Sequence, residues 1–122
     1  MEISAKDLRI GNYVIINYGT DLVGYVNSIS KDICSVKVDS AKLEATNPYE
    51  YIQPIPLTEE WLVKFGFKID TDLKNCLVKS GLWFNKTNME CTYCGAKLKK
   101  IKYVNQLQNL YFALTGTELT IK

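Results

Sequence analysis

Cys91-Thr92-Tyr93-Cys94-Gly95 is the segment whose residue types and spacing come nearest to known chemistry. Two thiolates three positions apart can close a turn around a metal, but a structural zinc site needs four ligands. Cys91 and Cys94 are half of such a set, and Cys34 and Cys76 are not spaced as a second half. On a strand, residues 91 and 94 would point to opposite faces. A redox role would want a helix N-terminus after the pair, and none is predicted. The competing reading is of thiols packed as small apolar groups in a hairpin. No cofactor is implied.

The second candidate is Lys97-Leu98-Lys99-Lys100-Ile101-Lys102, near Trp83, Tyr93 and Tyr103. A basic strand with aromatic neighbours can hold phosphates or single-stranded nucleic acid. Its apolar/polar alternation slips between Lys99 and Lys100, which predicts a bulge or bend. Alternatively, the lysines are a solvated face that guards an edge. Fourteen Lys stand against one Arg, Arg9, which weighs against base-edge readout, where bidentate Arg contacts dominate. The third candidate is Asn105, Gln106, Gln108 and Asn109, opposite the apolar stripe of a predicted helix. Four uncharged amides can hydrogen-bond a partner without desolvating a charge. Equally, they can pack on a sheet edge or a loop.

The chain has no histidine. This removes Ser-His-Asp and Cys-His nucleophiles and every zinc site that uses His. Glu59-Glu60 is explained by a helix start and Asp70-Asp72 by a turn. With no phosphate loop or nucleophile elbow, the expectation is a protein that is not an enzyme.

These residues need elements to hold them. The 122 residues are 47% hydrophobic and 23% charged, which suits one globular domain or two small ones sharing a core. Residues 1–56 carry five basic and seven acidic side chains; residues 57–122 carry ten and six. Ser4 is a plausible N-cap for a turn over residues 4–8. Tyr13–Tyr18, Leu22–Ile29 and Ile33–Val38 alternate as strands of an antiparallel meander, with Val23, Tyr25 and Ile29 on one face. Residues 39–48 read as a loop, and Tyr49–Gln53 as a strand stopped by Pro54 and Pro56. The expected fold class is α+β: a small SH3-like barrel over 1–56, then a helix, antiparallel strands and a closing helix over 57–122.

In that second part, Thr58 is an N-cap with Glu59 and Glu60 behind it, Leu57 and Leu62 form a staple, and Gly66 ends the helix. Asn75–Phe84 is rich in strand formers. Met89–Cys94 and Leu98–Tyr103 read as a hairpin around Gly95-Ala96. Val104–Leu114 has helical period, and the tail from Glu118 to Lys122 is an edge strand. Trp61, Phe65, Leu107, Tyr111 and Leu114 are expected to form the core of the two helices.

Three stretches resemble a family. YVNQLQNLYFALTGTELTIK (103–122) resembles the ending of small uncharacterised proteins of Bacteroidales genomes, prophages and phages, which often read HQLQNLYFALTGEEL. PIPLTEEWLVKFGF (54–67) is similar to their middle helix and LRIGNYV (8–14) to their beginning. Together these cover about 40 of the 122 residues, in order. The resemblance implies a mobile-element setting and a bacterial cytoplasm; the lack of a long apolar run and of a signal peptide points to the cytosol as well, where cysteines stay reduced. With the small size, the missing catalytic residues and the amide-rich helix, that setting makes a host protein the expected partner, and the setting alone suggests inhibition of a defence system. The resemblance names no activity. This chain departs from the pattern at Asn105, where relatives carry His. A proton-transfer role at that position would not survive the change, whereas hydrogen bonding would. Nucleotide or nucleic-acid binding through Lys97–Lys102 and a zinc-stabilised module are the other functional expectations. A membrane is not.

Overall fold

The computed structural model describes residues 3, 5–17, 19–38 and 43–121. Among these residues it is α+β, with two antiparallel five-stranded sheets and two α-helices. The chain divides into two compact units: Met1–Pro56 with Tyr103–Asn109, and Leu57–Lys102 with Leu110–Lys122. The expected cap at Ser4 lies outside the described residues.

The first unit holds β1 (Tyr13–Asn17), β2 (Asp21–Ile29), β3 (Ile33–Val38), β4 (Leu43–Pro48) and β5 (Ile52–Gln53). Their order is β4-β3-β2-β1-β5. Alternation selects the core: Val14 and Ile16 on β1, Val26 on β2, and Cys34, Val36 and Val38 on β3 are buried, joined by Ile3, Leu8 and Ile52. No pairing joins edge strands β4 and β5 among the described residues, so this is an open sheet where a closed barrel was expected.

Three local expectations are corrected. Residues 43–48 are a strand, not a loop, paired with β3 along its whole length from Ile33↔Pro48 to Val38↔Leu43. Its Glu, Asn and Pro disfavour strand, and the neighbouring ladder overrides them. Residues 49–51 form a 3-10 turn, so the strand there shrinks to Ile52–Gln53. Val23 and Tyr25 do share a face, but Ile29 leaves it. An irregularity between Val26 and Ser28 shifts the phase of β2, as an inserted bulge residue does.

The second unit holds α1 (Glu59–Lys64), β6 (Lys68–Ile69), β7 (Cys76–Lys79), β8 (Leu82–Asn85), β9 (Cys91–Tyr93) and β10 (Ala96–Lys97), in sheet order β10-β9-β8-β7-β6. Thr58 Oγ1 caps α1 by accepting from the Trp61 N–H at 3.4 Å. At the other end, the Gly66 N–H reaches Val63 O and the Phe67 N–H reaches Leu62 O, both at 3.0 Å. That pair is a Schellman motif, and its apolar partners Leu62 and Phe67 are both buried. The hairpins turn on Ser80-Gly81 and Cys94-Gly95, with positive φ at all four residues, the requirement of a two-residue type I′ loop.

Helix α2 (Val104–Thr115) is divided between the units after Asn109. The expected helix core divides with it. Leu107 is buried in the first unit; Trp61, Phe65 and Tyr111 are buried in the second, and Leu114 only partly. The lysine run is not a strand beyond Lys97: residues 98–102 are irregular. The tail over 118–121 has no strand either, and Leu119 in it is buried, 1% exposed; Lys122 lies outside the described residues. Among the described residues, no helix is long and apolar enough to cross a membrane.

Gly24 on β2 is set by close approach. A Cβ there would stand 2.7 Å from Lys37 O, 2.7 Å from Val36 Cγ1 and 2.9 Å from Val38 Cγ2. One of those atoms is backbone and cannot swing away. Gly24→Ala is therefore expected to cost about 1–3 kcal/mol, read as a lower urea midpoint at unchanged slope. An unchanged midpoint would refute the packing assigned to β2 and β3.

Candidate functional site

The amides of α2 are placed first. Gln108 is 1% exposed. Its Oε1 accepts from the Tyr13 N–H at 2.8 Å, and its Nε2 donates to Gly11 O at 3.1 Å. One carboxamide thus serves the backbone of residues 11 and 13 as a neighbouring strand would. The same segment needs its glycine: Gly11 has φ +97°. The Asn12 N–H bonds to Arg9 O, the Gly11 N–H to Val26 O, and the Val26 N–H to Asn12 O. This is a tight turn run into a glycine bulge opposite Val26.

Asn12 is fully buried, and its bonding pattern sets the orientation of Asn109. Its Oδ1 accepts from the Arg9 N–H at 2.8 Å, so its Nδ2 faces Asn109 Oδ1 at 2.9 Å. Asn109 Nδ2 then donates to Asp7 O at 3.2 Å, and Asn105 Nδ2 reaches that carbonyl at 3.1 Å. Gln106 Oε1 accepts from the Tyr103 N–H at 3.1 Å, the reciprocal half of a capping box. Of the two expectations for these amides, the packed one describes Asn105, Gln108 and Asn109: they face residues 7–13 of their own unit. Asn105 is 3% exposed and its Oδ1 is buried without a hydrogen-bond partner among the described residues. It lines a cavity of about 290 Å³ with Lys6, Asp7, Gln106 and Asn109.

The cysteines separate by environment. Among the described residues no three His, Cys, Asp or Glu side chains are placed to hold a metal. Cys91 and Cys94, the weak metal candidates, flank a hairpin turn, and the turn accounts for their spacing. Cys91 enters the core from β9, while Cys94 sits exposed at the first position of a type I′ turn, φ +49°. Burial pushes the Cys34 and Cys91 thiols up to about 11.

The remaining candidates lie on the second unit's sheet. Its register sets Leu77, Phe84 and Cys91 in one line, all buried, with Ile69 at its edge. The opposite face carries Lys68, Val78, Trp83, Thr92 and Lys97, each the cross-strand partner of the next. Trp83 and Lys97, far apart in sequence, are thereby on one line. Tyr93 is on the other face, opposite Leu82 and Ala96. Trp83, Thr92, Cys94 and Gly95 line a cavity of about 320 Å³. Lys97 and Lys100 border another of about 250 Å³ with Asn88, Glu90, Cys91 and Leu98. Lys97 Nζ is 3.5 Å from Glu90 Oε1. Lys99 and Lys102 are exposed on the irregular segment. Sequence reasoning missed Lys68, Val78 and Thr92. Their alternation was legible, but which strands lie side by side was not.

Comparison with protein-family models, with curated proteins and with solved structures found no match.

Two outcomes follow. Gln108→Leu strands the Tyr13 N–H and the Gly11 carbonyl, each worth about 1–3 kcal/mol when buried and unpaired. The Tyr13 amide should then exchange with deuterium at least tenfold faster; exchange as in the wild type would remove Gln108 from that role. For the thiols, folding favours the neutral form. Stability from Cys34 and Cys91 is present below pH 9 and is lost as pH rises from about 9 to 11. At pH 8, iodoacetamide should label Cys94 first and reach Cys34 and Cys91 only on unfolding. Rapid labelling of Cys91 in the native protein would contradict its burial.

Proposed function

We propose that the chain is a non-enzymatic binding protein of a phage or mobile element. It engages a protein of the bacterial host in the cytoplasm, and inhibition of a defence system is the form its family resemblance suggests. One observation supports a protein partner: the outer face of the first sheet. Tyr13 pairs with Tyr25 and Ile15 with Val23. Val23 is 47% exposed, and the two tyrosine rings meet edge to face with centroids 6.4 Å apart. Apolar side chains with Tyr among them, on a rigid sheet, suit the centre of a protein interface. The strand order, with β5 returning to β1, also supports an SH3-like relationship for this unit. The amides Asn105, Gln108 and Asn109 hold this scaffold together, and the departure from His at position 105 fits hydrogen bonding rather than proton transfer.

A second reading is nucleotide or nucleic-acid binding by the second unit around Lys97–Lys102. The charge supports it: residues 57–122 hold ten basic and six acidic side chains, and none of either lies between 103 and 109. Salt separates the two readings. Phosphate contacts weaken steeply with added salt; an apolar interface does not.

The test is affinity capture from host lysate with the wild type beside Val23→Asp and Tyr25→Ala. The wild type should retain one host protein in stoichiometric amount, insensitive to salt. Both variants should lose it while keeping their thermal midpoints. Equal recovery by all three would reject this face as the interface.

A further inference from the structure

We propose that the outer face of the second unit's sheet is a platform for single-stranded nucleic acid, with Trp83 stacking on a base and Lys68 and Lys97 holding the backbone on either side. The proposal rests on the nucleic-acid reading above and says where the strand lies. Its foundation is register. Lys68 pairs with Val78, Val78 with Trp83, Trp83 with Thr92 and Thr92 with Lys97. The line crosses all five strands. With strands about 4.8 Å apart, Trp83 stands roughly 10 Å from the lysine at each edge. An aromatic centre between two cations is the arrangement by which sheets hold single strands without reading their sequence.

Three further features agree. Trp83 is half-buried and lines, with Thr92, Cys94 and Gly95, a cavity of about 320 Å³, so the ring has an open space beside it for a flat ligand. The reverse of the sheet is packed core, with Leu77 at 1%, Phe84 at 0% and Cys91 at 1% exposure. A platform braced in this way keeps its side chains in place before the ligand arrives. Lys68 and Lys97 are exposed, and the only partner of either is Glu90, 3.5 Å from Lys97 among the described residues. That exposed pair is weak and yields to a phosphate.

The chemistry also selects the strand type. A duplex hides its base faces in the stack, so Trp83 can reach only an unpaired base. Lysines serve as point charges toward phosphate and lack the fork that reads guanine. Sequence tolerance follows, with pyrimidines and purines both accepted by one ring.

The experiment is fluorescence anisotropy with a labelled twelve-residue thymidine oligonucleotide, beside the matching duplex, at low and physiological salt. The wild type should bind the single strand at least tenfold tighter than the duplex, and tryptophan emission should fall on binding. Trp83→Leu should weaken binding about tenfold or more, and Trp83→Phe should retain most of it. Lys68→Glu and Lys97→Glu should each lower the salt slope by about one. Thermal midpoints of the two lysine variants should match the wild type. If Trp83→Leu and Trp83→Phe both bind as the wild type while the triple variant Lys99→Ala, Lys100→Ala, Lys102→Ala does not, the platform falls and the nucleic-acid reading stands. If the wild type binds no oligonucleotide at low salt, both fall. Equal affinity for duplex overturns the stacking role of Trp83.

Discussion

The first unit depends on one carboxamide. Gln108 joins a helix near the end of the chain to residues 11 and 13, where the first strand begins. A buried backbone N–H and carbonyl without partners would each carry a desolvation cost close to the stabilisation of a whole buried side chain. Gln108 supplies both partners from one flat group. It can do so because Gly11 bends the chain into a turn and bulge that brings the two backbone groups to one side. Asn12 and Asn109 carry a second chain of hydrogen bonds to the carbonyl of Asp7, to which Asn105 also donates. What looks from its composition like a polar binding face is a set of internal fastenings.

The second unit is built on other terms. Its helix is closed at both ends by local chemistry, Thr58 at the start and Gly66 with Phe67 at the stop. Its two type I′ turns sit at Ser80-Gly81 and Cys94-Gly95, and Cys94 Sγ lies 3.2 Å from where a Cβ on Gly81 would stand. The turns set the register of the meander, and the register sets which side chains share a line. The sheet therefore has one packed face and one face on which a tryptophan stands between lysines. The two units carry charge of opposite sign, −2 over residues 1–56 and +4 over 57–122. Their outer faces differ by register, the first apolar with tyrosines, the second basic with an aromatic centre.

Legibility followed sequence distance. The cap, staple and stop of α1 were readable because each is settled within about five residues. The first three strands were readable from alternation. β4 was not, because Glu44, Asn47 and Pro48 argue against a strand and only the neighbouring ladder of β3 decides otherwise. The lysine run misled for the opposite reason: it alternates on either side of the slip between Lys99 and Lys100, yet β9 is only three residues long and pairs no further than Lys97. Of the candidate site, the residue types were legible and the partnerships were not.

By itself, then, the sequence determined the class of fold, the ends of α1, the opposed charges of the two halves and the exclusion of histidine chemistry. These follow from composition and from contacts a few residues long. Tertiary structure alone decided that Asn105, Gln108 and Asn109 of α2 turn inward, because their partners lie 95 to 102 residues away. It decided that Cys91 is core and Cys94 is turn, because a hairpin parts them. It also decided that Lys68, Trp83 and Lys97 share one line, because alignment across five strands is a property of their pairing and of no single strand.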